Sequence, residues 1–144
     1  MNERTLVRSV GKPGRRPDAA VIAVNAAISR SPAPGDVCIA AVQPARGPVK
    51  NRPIIVLSVP DADDEQDIVA VAVTSSPHNP SDSHFIHLPS STDPGSTSGL
   101  ERESWAACRW VLRLKVEEIR RIVGHISMEL VERIALQVER ERGR

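Results

Sequence analysis

From residue 35 onward the chain alternates short apolar runs with polar connections broken by glycine and proline. The runs are rich in Val and Ile, which favour a pleated, half-buried surface, and their length suits strands better than helices. GDVCIAAV (35–42) predicts a first strand and RPIIVLSV (52–59) a second, joined by the loop QPARGPVKN (43–51). PDADDEQ (60–66) reads as a solvated acidic hairpin tip. DIVAVAVT (67–74) is apolar on both faces and predicts a central third strand. After the polar loop 75–83, HFIHLP (84–89) alternates and predicts a half-exposed fourth strand. SWAACRWVLRL (104–114) follows loop 90–99 as a fifth.

Beyond residue 115 the period changes. In VEEIRRIV (116–123), Val116, Ile119, Ile122 and Val123 fall on one helical face, and Gly124 stands where a C-terminal glycine belongs. Ser127 then caps a second helix, with Val131, Ile134, Ala135 and Val138 as its stripe and Glu and Arg opposite. This helix is expected to pack on the sheet or on a partner subunit. The fold class is thus mainly β with C-terminal helices (α+β): a small SH3-like barrel of about five strands. Residues 1–33 differ from the rest. They start basic and are broken by Gly and Pro, and a short helix capped by Asp18 is predicted over 18–30. We read 1–33 as an extension and 34–144 as the domain.

Composition narrows the chemistry only a little. A length of 144 residues fits one domain, and a net charge of +1 does not by itself call for nucleic acid. Aromatics are few (Phe85, Trp105, Trp110 and no Tyr), so an RNA ligand would be held more by phosphate and base-edge contacts than by stacking. Cys38 and Cys108 sit in apolar stretches without CxxC or HxxxH partners, which predicts reduced, buried thiols and no metal site. No apolar run reaches the ~18 residues of a membrane span, and no clear cleavage site follows the apolar stretch near the start. The chain reads as cytoplasmic, with no membrane partner.

Two strand ends carry candidate chemistry. Arg52 opens the second strand, with Arg46 and Lys50 just upstream; Thr74, Ser75 and Ser76 close the third. If these strands form an antiparallel hairpin, Arg52 and Thr74 come within side-chain reach. A guanidinium beside a hydroxyl and loop N–H groups makes a phosphate site. The same residues also fit a plainer account: a solvated arginine at a strand start and hydroxyls closing a turn.

The succession of motifs resembles the PemK/MazF family of toxins from type II toxin–antitoxin modules. The matching pieces are Gly35–Asp36, Arg52–Pro53 with a strand ending in Ser58, Thr74–Ser75, Gly99–Leu100 and the closing GHIS (124–127). Together they span about residues 34–140. The resemblance implies a MazF-like barrel, usually a homodimer, that cuts single-stranded RNA (mRNA) without a metal or other cofactor. The 2′-hydroxyl would attack its own phosphate, giving a cyclic phosphate and a 5′-hydroxyl. It assigns Arg52 to the phosphate, Thr74 to the catalytic hydroxyl, and Arg46, Lys50, Ser75 and Ser76 to substrate binding. It also implies a cognate antitoxin whose acidic tail covers the basic residues, and contact with DNA only through that antitoxin. The chain departs from the family in two places. The first loop lacks an acidic or His residue, and Arg109–Trp110 stand where an acidic residue is often found. That leaves the proton acceptor unassigned, with His78 as the substitute because an unperturbed imidazole titrates near neutrality. His84, His87 and His125 are expected to be structural. A catalytically degenerate member, or a CcdB-like barrel that inhibits without cutting RNA, is the alternative.

Overall fold

A computed structural model describes residues 30–44, 46–60 and 67–143. The basic start and the helix expected over 18–30 lie outside the described residues, as does nearly all of the acidic turn. Among the described residues, six strands form one antiparallel sheet: β1 (Asp36–Val42), β2 (Lys50–Ser58), β3 (Ile68–Thr74), β4 (Phe85–Leu88), β5 (Ser104–Leu114) and β6 (Ile119–His125). A 3₁₀ turn at Val116–Glu118 precedes β6, and one helix, α1 (Met128–Arg142), ends the chain. The order across the sheet is β4-β5-β3-β2-β1-β6. β3 is central, as its two-sided apolar sequence predicts. Residues 31–144 form one compact unit, and no helix among the described residues is long and apolar enough to cross a membrane.

The helix expected over 116–123 is not formed; those residues make the 3₁₀ turn and most of β6. The reason is visible in the register with β1. Val37 faces Gly124 and Cys38 faces Ile122, so Val123 is an extra residue; Ile39 faces Arg121 and Ala40 faces Ile119, so Arg120 is another. Two bulges in seven residues break the strict alternation of a strand. The apolar positions then fall three and one apart, which imitates a helical face. Gly124 is not a helix cap either. A Cβ there would stand 2.3 Å from the Thr97 carbonyl oxygen, and one on Gly99 would meet the Val123 carbonyl. The backbone of 97–99 therefore runs against the outer side of β6. The His125 N–H donates to Thr97 O (2.8 Å), and Thr97 Oγ1 donates to His125 O (2.9 Å). Glycine is required at both positions because two backbones approach closely.

The core lies between the sheet and α1. Val37, Ile55, Val71, Leu88, Cys108 and Ile134 are among its fully buried members. Ser127 caps the helix as expected, its hydroxyl accepting from the Leu130 N–H (3.2 Å). Val131, Ile134 and Val138 are buried, but Gln137 joins them where Ala135 was expected. Its amide is satisfied by the Glu141 carboxylate (2.5 Å). Both cysteines are buried. Burial, with the nearby Glu141 carboxylate adding to it, pushes the Cys108 thiol up to about 12. It acts as a small hydrophobe and stays protonated.

Candidate functional site

Strands β2 and β3 pair in antiparallel fashion with Ile54 facing Ala72. Two residues further in this register, Arg52 is level with Thr74. The hairpin expected from the sequence is thus present, and both residues line one groove of about 990 Å³. Its walls are the start of β2, the end of β3, the loop into β5 and the middle of β6. Lys50, Ser75 and Ser76 also line it, as the sequence predicts. Arg46 and His78 do not. Arg46 is exposed on the β1–β2 loop. His78 sits apart over His84 and Phe85, with ring centroids 5.8 and 5.3 Å away, and its Nε2 lies 3.7 Å from Asp82 Oδ2. The geometry does not bring it to Arg52 and Thr74.

Other lining residues are not singled out by the sequence: Arg102, Arg121 and Glu101. Arg102 and Glu101 follow the Gly99–Leu100 pair, so that motif marks their place. Arg121 was hidden because its segment carries a false helical period. It reaches the groove across β1, where Ile39 faces Pro53 on one side and Arg121 on the other. The lining therefore holds four cations, Lys50, Arg52, Arg102 and Arg121, and one carboxylate, Glu101. A chain of near-zero net charge thus carries a strongly positive groove, which concentrates anions locally.

Arg52 is held in a distinct way. Its guanidinium lies over the Trp110 ring, 4.9 Å from the centroid. Its Nε is buried and has no hydrogen-bond partner among the described residues. Trp110 comes from an interruption in β5. Val71 faces Val111 while Ala72 faces Ala107, so residues 108–110 have no partner on β3. Such a bulge bends the strand and re-aims its side chains. Its middle residue, Arg109, donates from Nε to Glu141 Oε1 (2.7 Å) and ties β5 to α1. Trp110 and Arg109 are thus both in use, one under Arg52 and one against the helix.

Thr74 is also prepared. The Ser76 N–H donates to Thr74 Oγ1 (3.1 Å), the hydrogen bond of a turn closed on its own hydroxyl. One of the hydroxyl's two lone pairs is thereby engaged, and its proton remains available for an oxygen in the groove. A planar fork with an unsatisfied N–H, a hydroxyl donor and three further cations together suit a phosphodiester.

The sequence profile of the PemK-like, MazF-like toxins of type II toxin–antitoxin systems matches residues 33–140. That is most of the chain, and the protein belongs to this family. No curated relative matches it in sequence. Among solved structures, MazF (Form-I) from Deinococcus radiodurans superposes with a TM-score of 0.60 at 17% identity, covering 81% of this chain and 100% of that one. The Mycobacterium tuberculosis toxin MazF-mt6 gives 0.54 at 14% identity, over 73% and 93%. An endoribonuclease in complex with its cognate antitoxin, from a mycobacterial species, gives 0.51 at 16% identity, over 79% and 95%. At these identities the likeness is one of fold: mainly β with a C-terminal helix.

Proposed function

We propose that this protein is the toxin of its module and acts as an endoribonuclease on single-stranded RNA, without a catalytic metal. The observation that carries the reading is Arg52: a guanidinium fixed on Trp110 in a cationic groove, level with Thr74, with a buried N–H unsatisfied. Leaving such a donor unpaired costs about 1–3 kcal/mol, a cost the fold accepts to hold the guanidinium on Trp110 beside the groove.

The reaction needs no external nucleophile. The RNA's own 2′-oxygen forms a bond to the adjacent phosphorus and the bond to the 5′-oxygen breaks. Arg52 stabilises the charge on the phosphorane and Thr74 donates to one of its oxygens. A base must take the 2′-hydroxyl proton. His78 lies outside the groove lining, whereas Glu101 is its sole carboxylate, so we assign the proton to Glu101. The leaving 5′-oxygen takes a proton from water in the open groove. Ser75, Ser76, Lys50, Arg102 and Arg121 hold the flanking phosphates, with Arg46 as an outlying charge.

The same positive surface suits an antitoxin with an acidic segment laid across it, which would block RNA by imitating its phosphates. The mycobacterial neighbour solved with its antitoxin supports that partner. A homodimer is the family's usual assembly, and we expect one here. The test is cleavage of a mixed RNA by purified protein in EDTA, with the product ends identified. Cyclic phosphate ends, lost in Thr74→Ala and reduced about 100-fold in Glu101→Gln, support the reading. A folded wild-type protein that cuts no RNA overturns it. Toxicity that survives Arg52→Ala would point to a non-cutting inhibitor.

A further inference from the structure

The loop after β3 carries a feature that the RNA groove does not use. His78, Asp82 and His84 each offer a ligand atom, and the three atoms lie within 4.8 Å of one another. The His78 Nε2–Asp82 Oδ2 distance is already 3.7 Å. Around a tetrahedral zinc, with bonds of about 2.0–2.2 Å, ligand atoms stand roughly 3.3 Å apart and two imidazole centroids about 5 Å apart. The His78 and His84 centroids are 5.8 Å apart. The ligand atoms are therefore within about 1.5 Å of ligating geometry.

Two further observations point the same way. His84 is only 4% exposed, so one member of the cluster is held inside the fold while the other two reach solvent. The backbone that presents them is also organised. The Asp82 N–H donates to Asn79 O (3.1 Å), the Phe85 N–H donates to Asp82 O (3.0 Å), and the Cys108 N–H fixes the His84 carbonyl (2.8 Å). The backbone of Asp82 and His84 is thus set by β4 and the turn before it, and side-chain adjustment is enough to close the set.

We propose that His78, Asp82 and His84 form a site for a divalent transition metal, with Zn²⁺ the best match. Two neutral imidazoles and one carboxylate are a donor set for zinc rather than for Mg²⁺ or Ca²⁺, and water completes the coordination. None of the three lines the groove, so the metal takes no part in cutting RNA. It pins loop 75–84, whose first residues, Ser75 and Ser76, form part of the groove wall.

The experiment is a titration of chelator-treated, desalted full-length protein with Zn²⁺ by calorimetry, with Co²⁺ as a spectroscopic probe and thermal melting as the stability readout. We expect one Zn²⁺ per chain, a melting temperature several degrees higher with zinc, and the visible absorption of tetrahedral Co²⁺. His78→Ala, an exposed change that leaves the fold alone, should weaken binding at least about 100-fold, since losing a ligand costs more than losing its support. His87→Ala is the control; that ring pairs with Glu103 elsewhere (3.1 Å), and binding should persist. No stoichiometric binding by the folded wild type, or binding unchanged in His78→Ala, overturns the proposal.

Discussion

Arg52 and Arg109 make an informative pair. Both are arginines on strands of the same sheet, and both meet the bulged stretch of β5. Arg109 is engaged through its Nε, which donates to the Glu141 carboxylate, whose side chain is 4% exposed and whose other oxygen takes the Gln137 amide. Arg52 has an aromatic ring beneath it, open groove beside it and no partner among the described residues for its buried Nε. The first arrangement lowers the free energy of the folded chain. The second costs free energy and holds the guanidinium beside the groove. The difference separates a charge that serves the fold from one that is kept ready for a ligand.

Exchanging each arginine for alanine should give opposite phenotypes. Arg52→Ala should lower RNA cleavage by about 10²–10³-fold, the usual cost of losing a fixed donor to the transition state. Its melting temperature should barely change, because the lost stacking on Trp110 is offset by removal of an unsatisfied N–H. Arg52→Lys should recover little activity, since an ammonium lacks the planar fork. Arg109→Ala should cost about 1–3 kcal/mol, because Glu141 then stays buried with one partner fewer. Thermal melting would show this as a drop of several degrees, while the folded protein still cuts RNA.

A smaller effect tests the groove's remaining charge. Each phosphate contact to single-stranded RNA contributes about 0.7 to the slope of log affinity against log salt. Arg121→Ala should reduce that slope by about this amount and weaken binding uniformly across sequences. An unchanged slope would mean that Arg121 lines the groove without touching the ligand. The smallest effect concerns Cys108, on the structural side of the comparison. Its thiol is raised from 9.0 to about 12 in the folded chain. Between those values the unfolded chain has lost the proton and the folded chain has kept it. Its contribution is therefore complete below pH 9 and is lost as pH rises towards 12, at up to about 1.4 kcal/mol per pH unit. Denaturant melts of wild type and Cys108→Ala over that window should diverge accordingly, and an alkylating reagent should leave the native thiol untouched.

Five of the strands and the antiparallel pairing of β2 with β3 were legible because they rest on local signals: β-branched runs, a polar hairpin tip and a strand end with a charge. What escaped notice depends on register. The two bulges in β6 give Ile119, Ile122 and Val123 a helical spacing, so a strand reads as a helix, and Arg121 is lost with it. Trp110 reaches Arg52 only because residues 108–110 leave the ladder with β3, and nothing in SWAACRWVLRL marks where that happens. Glu101 is one charge among several in ERES (101–104), and only the close backbone approach of 97–99 to β6 turns it towards the groove wall. His78 shows the converse. Its sequence neighbours suggested the groove, but the turn at 79–82 carries it to His84 instead.

The central claim is that the Arg52 guanidinium is held on Trp110 in the groove to bind a phosphate. The most direct measurement is the affinity of wild type, Arg52→Ala and Arg109→Ala for a 2′-O-methyl RNA oligonucleotide, which binds but lacks the attacking hydroxyl. Charge-assisted hydrogen bonds of this kind are worth roughly 10–100-fold in binding. We expect a loss of that size in Arg52→Ala and none in folded Arg109→Ala. Equal affinity of Arg52→Ala and wild type would contradict the account.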